Sequence, residues 1–409
     1  MTLIDGSGTP PMKDMTVVVA NGRVAGVTQA PRAIVPADAV MVDGKGRFLI
    51  PGLWDMHVHC GDYERGRKSL ALLVANGITG VRDMGSPVED ILRLRADSKD
   101  GKILSPRIVA AGPLLETTLP ASMADNPMLM SAGTRMEARS AVDKLKSRGV
   151  DFIKVHDSVS REGYLEIARE SKRLGIPFAG HLPPFVTARE ASAAGQRSIE
   201  HLGGHYRAVL IACSRRSGEL QHAAASLLRS SIERVKHGQA PDEIGPFRLG
   251  FTKPLLESFD SGRATEIIAL FRRNRTWQTP TLVALEQSWD SFGAELTSAE
   301  REVGRRLLQE TMELMREMRR AQIGILAGTD LPLAGADSRL PDELALLVHA
   351  GLRPSEALDA ATRAPAEFLG RLDSLGTISQ GRIADLVLLD ADPLEAVENT
   401  KKIDAVILD

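Results

Sequence analysis

The stretch Pro51-Gly52-Leu53-Trp54-Asp55-Met56-His57-Val58-His59 decides how the chain is organised. An apolar strand leaves a Pro-Gly turn and ends in two histidines that lie two residues apart. Because side chains alternate between the two faces of a strand, His57 and His59 point the same way. Neutral imidazole is the commonest metal ligand among protein side chains. The pair is therefore either part of a metal site at a strand end or a surface histidine pair.

Downstream of this stretch, short apolar segments alternate with segments of helical periodicity, for example at 137–147, 162–174 and 299–322. Eight strands alternating with helices predict an α/β fold, a (β/α)8 TIM-like barrel over residues 52–366. A doubly wound open sheet is the alternative, but no GxGxxG follows a strand, which weakens its dinucleotide-binding form. The eight predicted strands are Leu53–His57, Ile78–Arg82, Arg107–Ala111, Phe152–Val155, Pro177–Ala179, Ser198–Glu200, Trp277–Leu282 and Gly324–Ala327.

Both ends of the chain carry a different pattern, of short strands and turns. The dipeptide Asn21-Gly22 between two β-branched segments is a strong hairpin signal. We therefore expect a small β-sandwich domain composed of residues 1–51 and 367–409. Its predicted strands include residues 16–19, 23–27, 40–42, 48–50, 376–378, 381–390 and 405–408.

Residues 205–276 are longer than an ordinary connection between two barrel strands. Their pattern predicts a largely helical insertion. Because it follows the C-terminal end of a strand, we expect it to lie over the mouth of the barrel as a lid or pocket wall.

Composition limits the classes of partner. Lys and Arg total 51 and Asp and Glu 53, a formal net charge of −2. No Lys/Arg stripe with interleaved aromatic residues is present, which argues against nucleic acid as the main partner. The sequence has no apolar run near the roughly 20 residues of a membrane span and no recognisable signal peptide. We expect a cytoplasmic protein without membrane contact as the chain stands; a processed or trimmed N-terminus would permit a secreted or periplasmic location.

Metal-capable side chains recur where the predicted strands end. A lysine ends the fourth strand, histidines follow the fifth and sixth, and an aspartate follows the eighth. The C-terminal ends of barrel strands share the face on which active sites lie. Taken singly, each histidine is explained as a hydrogen-bonded core residue and the aspartate as a helix N-cap. Together they predict a metal site, composed of His57, His59, Lys154, His181, His201 and Asp330.

These pieces together resemble the amidohydrolase superfamily, particularly its imidazolonepropionase-like and prolidase-like branch. The resemblance covers nearly the whole chain. The main departure is at the start, where relatives have more of a first strand before Leu3-Ile4-Asp5-Gly6. The segments that carry the resemblance are 51–59, 80–85, 151–155, 180–183, 198–202, 327–330 and 376–387.

The resemblance implies a centre of two divalent metal ions, expected to be zinc. The more buried ion is held by His57, His59 and Asp330, and the more exposed one by His181 and His201. The lysine of the fourth strand bridges both ions after its neutral amine has reacted with carbon dioxide, which gives an anion with two oxygens. A hydroxide shared by the ions attacks the scissile carbonyl, with Asp330 as general base and then as general acid toward the leaving amine.

The same resemblance implies a carboxypeptidase-like or dipeptidase-like hydrolase that is a homo-oligomer and acts on a small-molecule amide. The expected substrate is an N-acyl amino acid or dipeptide with a free carboxylate, which Arg or His side chains at the barrel mouth would bind. Candidates for substrate contact are His156, two residues past Lys154, and His205, at the start of the insertion; a packed or solvent-facing histidine is the alternative for each. Two other functions stay open: a cyclic amide (imidazolone-type) hydrolase, and a metal-binding barrel without catalytic activity.

Overall fold

Parallel strands alternate with helices along most of the chain in a computed structural model, which describes residues 1–117, 119–120, 123–330 and 338–409. Among the helices in these ranges, none combines the length and apolar character that a membrane span requires. The strands are β1 (Thr2–Leu3), β2 (Met15–Ala20), β3 (Arg23–Gln29), β4 (Phe48–Pro51), β5 (Leu53–Val58), β6 (Ile78–Asp83), β7 (Arg107–Ala110), β8 (Leu114–Glu116), β9 (Leu129–Ser131), β10 (Ile153–Val155), β11 (Phe178–Gly180), β12 (Ser198–Glu200), β13 (Trp277–Thr279), β14 (Leu386–Leu389) and β15 (Ile403–Ile407). The helices are α1 (Tyr63–Ala75), α2 (Val88–Lys99), α3 (Arg135–Arg148), α4 (Arg161–Leu174), α5 (Ala188–Ala193), α6 (Ala208–Ala212), α7 (Ser217–Lys236), α8 (Leu249–Glu257), α9 (Ser261–Asn274), α10 (Leu282–Ser291), α11 (Ser298–Arg320), α12 (Leu340–His349), α13 (Pro354–Ala360) and α14 (Arg363–Phe368).

Backbone hydrogen bonds join the parallel strands between β5 and β13 into a barrel. The parallel strands β5, β6 and β7 are neighbours, and β8, β10, β11, β12 and β13 form a second parallel row. Residues 324–327 link the two rows: Gln278 N donates to Gly324 O (2.9 Å), and Met56 N donates to Ala327 O (2.9 Å). This segment therefore occupies the eighth position, between β13 and β5. The predicted (β/α)8 TIM-like barrel is confirmed.

Local sequence signals set the ends of the outer helices. At the start of α3, Thr134 Oγ1 accepts from Glu137 N (3.2 Å) and the Glu137 carboxylate accepts from Thr134 N (2.9 Å), which forms a capping box. Gly149 ends the same helix in the left-handed conformation, with φ 86°. These signals turn the chain back toward β10, which carries one of the candidate metal ligands.

Four predicted barrel strands, the first, second, fourth and fifth, differ from the structure by one residue at one or both ends, and three others depart from it further. The third is interrupted after Ala110 and resumes as β8, which the sequence did not predict; Gly112 between the two parts has φ +77°. The seventh ends at Thr279 rather than Leu282, because Thr281 has φ +46° and α10 follows directly. The eighth, residues 324–327, keeps the strand position through a bridge at Ile325 but does not form a regular ladder.

Strands from both chain ends build a second, smaller sheet in the order β1-β4-β14-β15. The register pairs Ile50 of β4 with Val387 of β14, so residues far apart in sequence are direct neighbours. The expected domain limits at 51/52 and 366/367 stay predictions. The small core under this sheet draws buried apolar residues from both ends, namely Leu3, Val24, Leu49, Ile378, Ala384, Leu386 and Leu388.

Two strands predicted for this part of the chain are not formed. Residues 40–42 are irregular, and Val40 is 93 % exposed; β-branched composition alone does not hold a strand that lacks a pairing neighbour. At 376–378, Gly376 has φ +81°, and the segment contributes the hydrogen bond from Ile378 N to Asp5 O (2.8 Å) rather than a ladder.

The segment 205–276 is largely helical, with α6, α7, α8 and α9 in this order. Helix α7 and the turn around Phe247 line a cavity of about 370 Å³ that also borders residues at the ends of β8 and β10. The segment thus supplies one wall of a cavity at the C-terminal end of the barrel strands.

Candidate metal centre

The side chains singled out by the sequence lie at the C-terminal ends of the barrel strands. One histidine is the penultimate residue of β5 and another follows the strand, the lysine is central in β10, and the remaining histidines follow β11 and β12. The aspartate follows the eighth strand position; the N-cap alternative for it concerns residues 331–337, which lie outside the described part of the chain. Parallel strands bring these groups to one face of the barrel. They are His57, His59, Lys154, His181, His201 and Asp330.

Asp330 lies among three of the histidines. Its Oδ1 is 3.1 Å from His57 Nε2 and 3.3 Å from His59 Nε2. Its Oδ2 is 3.6 Å from His201 Nε2. The ligand atoms of His57, His201 and Asp330 all lie within 4.8 Å of one another. One carboxylate facing three imidazole nitrogens is a donor set that suits a divalent metal ion such as zinc.

Hydrogen bonds fix the ring orientation of the first two histidines. His57 Nδ1 donates to Glu200 Oε2 (2.9 Å), and His59 Nδ1 donates to the carbonyl oxygen of Gly85 (2.9 Å). A carboxylate and a carbonyl oxygen accept and cannot donate, so the ring proton lies on Nδ1 in both cases. The Nε2 lone pairs that face Asp330 are therefore free to bind a metal ion.

The other two histidines are oriented in the same way. Thr281 Oγ1 donates its proton to the carbonyl of Pro280 (2.8 Å), so it accepts from His201 Nδ1 at 2.5 Å. His181 Nδ1 faces Asp157 Oδ1 at 3.1 Å, which favours a proton on that nitrogen. In the neutral form, each of the four imidazoles thus carries its proton on Nδ1 and presents the Nε2 lone pair, the arrangement expected of metal-binding histidines.

A buried ion pair between Arg82 and Glu200 orients the His57 ring. Arg82 and Glu200 are both almost fully buried, and Arg82 Nη2 donates to Glu200 Oε2 at 2.9 Å. Ser198 Oγ donates to the other carboxylate oxygen at 2.5 Å. Burial raises the pKa of Glu200, but the nearby Arg82 guanidinium and His57 outweigh burial and hold this pKa well below its usual range. Glu200 is therefore a permanent anion that orients the His57 ring.

Lys154 is buried in β10, and its Nζ has no hydrogen-bond partner among the residues that the structure describes. Burial lowers the pKa of this amine to about 8, against the attraction of Glu200 and Asp330. Gly180, with φ +130°, lets the lysine lie against β11: a Cβ there would be 3.0 Å from Lys154 Cδ and 2.1 Å from Val155 O. An unpartnered ammonium is costly in the interior, whereas the carbamate of this lysine would be an oxygen ligand.

The protonation states fit metal binding. Burial raises the pKa of Asp330, but His201 and His57 outweigh it and hold this pKa well below the usual range. Burial lowers the pKa of His201 to about 3 and that of His181 well below its usual value. Burial also lowers the pKa of His59, but Asp330 outweighs burial and raises this pKa above its usual value. The centre thus combines an ionised carboxylate with two neutral imidazoles, His181 and His201. Exposure does not rank the two expected halves of the centre, because His57 and His181 are buried whereas His59 and His201 are partly exposed.

His156 and His205 adjoin His181 and form a second cluster with it. The His156 ring centroid is 4.4 Å from that of His181, and the His205 centroid is 5.5 Å from it. Asp157 contacts His181 with Oδ1 and accepts from His205 Nδ1 with Oδ2, while His156 Nδ1 lies 2.5 Å from Glu116 Oε1. Burial raises the pKa of Asp157, but the two imidazoles outweigh it and keep it well below the usual range. Each of the two outer histidines therefore has one nitrogen held by a carboxylate.

Sequence reasoning missed the groups that orient the ligands. Glu200 and Asp157 directly adjoin histidines of the site, and Arg82 lies inside an apolar strand. Charged residues at the ends of otherwise apolar strands were the available signal. Thr281 gave no signal of this kind, because its role depends on the left-handed conformation at the end of β13.

Comparisons with known proteins show the family and similar folds. A sequence model of the amidohydrolase family matches residues 48–409. An uncharacterized protein of Mycobacterium tuberculosis is 25 % identical over an alignment of 431 positions. The alignment covers 99 % of this chain and 94 % of that protein. A crystal structure assigned as a candidate prolidase from Bifidobacterium longum is 26 % identical, with a TM-score of 0.71 over 100 % of this chain and 91 % of that one. The fold is also similar to that of A. niger ochratoxinase, at 21 % identity and a TM-score of 0.70 over 100 % and 92 % of the two chains.

Proposed function

The chain belongs to the amidohydrolase family and is a metal-dependent hydrolase of carbon–nitrogen bonds. From this premise we propose that it cleaves the amide bond of an N-acyl amino acid or dipeptide with a free carboxylate. The proposed site of cleavage is a centre of two metal ions. The observation that carries the proposal is the convergence of three imidazoles, those of His57, His59 and His201, around the ionised carboxylate of Asp330, with the His181 ring centroid 4.8 Å from that of His201. The likeness to a candidate prolidase supports the choice of substrate.

We assign two divalent ions, zinc by donor type, to this centre. His57, His59 and Asp330 would hold one ion, His181 and His201 the other, and a carbamate on the lysine of β10 would bridge them. The orphaned Lys154 Nζ and the free His57 Nε2 support the fit. When bound, such ions supply Lewis-acid chemistry: they lower the pKa of water and polarise a carbonyl oxygen.

In this proposal Asp330 moves the proton. Its carboxylate is ionised and adjoins His57, His59 and His201, so it is placed to accept a proton from attacking water. The same group then gives that proton to the nitrogen of the leaving amine, so that a neutral amine departs.

His156 and His205 are proposed to bind the substrate carboxylate. Both border the cavity beside the metal centre. Because Nδ1 of each is held by a carboxylate, Nε2 is the position left for a ligand. When either ring is protonated, its Nε2 also carries a hydrogen and can donate a charge-assisted hydrogen bond to a carboxylate.

A substrate screen tests the proposal. The protein is loaded with zinc and offered N-acetyl amino acids, dipeptides and cyclic amides, and free amine release is measured together with metal content. We expect release from the first two groups with about two ions per chain. Turnover of cyclic amides alone would favour an imidazolone-type hydrolase. Fewer than about one ion per chain and no turnover would favour a barrel without catalytic activity.

Assembly and location complete the proposal. We propose a homo-oligomer that works in the cytoplasm on small molecules. Light scattering on the purified chain measures its mass directly, and the mass of a single chain, 44.1 kDa, would contradict the oligomer.

A further inference from the structure

The cavity beside the metal centre has an apolar body and a charged edge. Its volume, about 370 Å³, lies at the low end of the range of about 300–1,000 Å³ for small-molecule sites. It is therefore large enough for one side group of a substrate and too small for a macromolecule. The charged edge next to the centre contains His156 and His205 together with Glu116 and Asp157, the carboxylates that hold their Nδ1 atoms.

Three parts of the chain build the apolar walls. Helix α7 presents Leu228, Ile232 and Val235, which share one helix face by their spacing of four and three residues. The aromatic wall is Phe247, whose ring centroid lies 5.1 Å from that of Phe292. The third wall follows β8 and contributes Leu119, Met123 and Leu129.

We propose that this cavity binds the side chain of the amino acid that the reaction releases, and that the enzyme prefers a large apolar residue such as Phe, Leu or Met at that position. The inference rests on the proposed function. Its geometric basis is that His156 and His205 line the same cavity as the apolar walls. The carboxylate and the side chain of an amino acid leave the same Cα, so a carboxylate held at these histidines places the side chain inside the cavity.

The expected preference follows from burial. Each methylene group moved from water into an apolar site contributes about fourfold to binding. A leucine side chain has three more carbons than alanine, so N-acetyl-leucine is expected to exceed N-acetyl-alanine about 60-fold in kcat/KM.

Filling the cavity tests the assignment. Ile232→Trp places a large ring on the cavity face of α7, and Ser230→Trp places the same ring on an exposed position of that helix that does not line the cavity. Ile232→Trp is expected to lower the ratio of kcat/KM for N-acetyl-phenylalanine to that for N-acetyl-glycine at least tenfold. Ser230→Trp is expected to leave this ratio unchanged. If Ile232→Trp does not fold, Ile232→Ala is expected to reduce the preference for phenylalanine severalfold.

Binding of the free amino acid gives a readout that does not depend on turnover. Calorimetry with L-phenylalanine and glycine is expected to show tighter binding of phenylalanine, which Ile232→Trp abolishes and Ser230→Trp retains. Amide hydrolysis without preference for large apolar residues, or equal effects of the two tryptophan variants, would overturn this inference and leave the proposed function standing. Selective phenylalanine binding without hydrolysis of any amide would overturn the proposed function and leave the cavity assignment standing.

Discussion

Replacing Asp157 by Asn is expected to weaken one of two metal-binding steps while the barrel stays folded. The carboxylate contacts His181 Nδ1 at 3.1 Å and also accepts from His205 Nδ1. An amide keeps one oxygen and must turn its NH₂ group toward one of the two rings. When the NH₂ faces His181, that ring must accept on Nδ1 and carry its proton on Nε2, which removes the lone pair for the metal ion.

The magnitude follows from the role of this contact. Loss of a group that orients a metal-binding histidine typically lowers affinity about 10–100-fold, or about 1.4–2.7 kcal/mol. His57, His59 and His201 do not contact Asp157 and keep their own partners, so the loss is confined to one ion.

Competition for zinc with a chromophoric chelator measures both stepwise dissociation constants. The matched control is Glu116→Gln, which alters the same kind of carboxylate–imidazole pair at His156, outside the proposed ligand set. We expect Asp157→Asn to weaken one step about 10–100-fold and Glu116→Gln to change neither step appreciably. Identical constants in the two variants would refute the assignment of His181 as a ligand oriented by Asp157.

Three further predictions concern other buried groups. Lys154→Ala is expected to leave at most one tightly bound ion and to lower turnover about 100-fold or more; two ions per chain by elemental analysis, with full turnover, would contradict the bridging role. Glu200→Gln leaves Arg82 buried without its ion-pair partner and is expected to cost about 3–5 kcal/mol in the free energy of unfolding; denaturant titration measures this, and a loss below about 1 kcal/mol would contradict the role of the pair. Burial raises the pKa of Glu343 from 4.5 to about 8, so the folded protein keeps a proton that the unfolded chain releases. Stability should therefore fall by about 1.4 kcal/mol per pH unit as the pH rises between these values, and Glu343→Gln should remove this slope. If the free energy of unfolding of the unmodified protein and of Glu343→Gln had the same pH dependence, the raised pKa of Glu343 would be contradicted.

The fold was predictable because its signals are local. Short apolar segments mark the barrel strands, and the Pro-Gly turn before β5 is recognisable from the local sequence alone. The errors at 40–42 and 376–378 have one cause: β-forming composition does not specify whether a neighbour is present to pair with. The predicted eighth strand position at 324–327 is correct, although the neighbouring barrel strands supply its hydrogen bonds.

The sequence named the side chains that lie together at the candidate site, but not the groups that orient them. Each expected ligand adjoins a strand end, and a buried lysine in an apolar strand is a rare signal in itself. The partner of His57 is Glu200, 143 residues away, and no local pattern indicates which acid faces which ring. The pairing of His181 with Asp157 likewise depends on the packing of β10 beside β11.

The most direct test of the account is a zinc titration of the metal-free protein, followed by amine release from the best N-acyl amino acid of the screen. Two metal ions in one centre predict that activity rises with added zinc and levels off at about two equivalents per chain. A chelator that removes both ions should abolish turnover, and added zinc should restore it. Full activity in the metal-free protein, or a plateau at one equivalent with no second binding step, would contradict the binuclear centre.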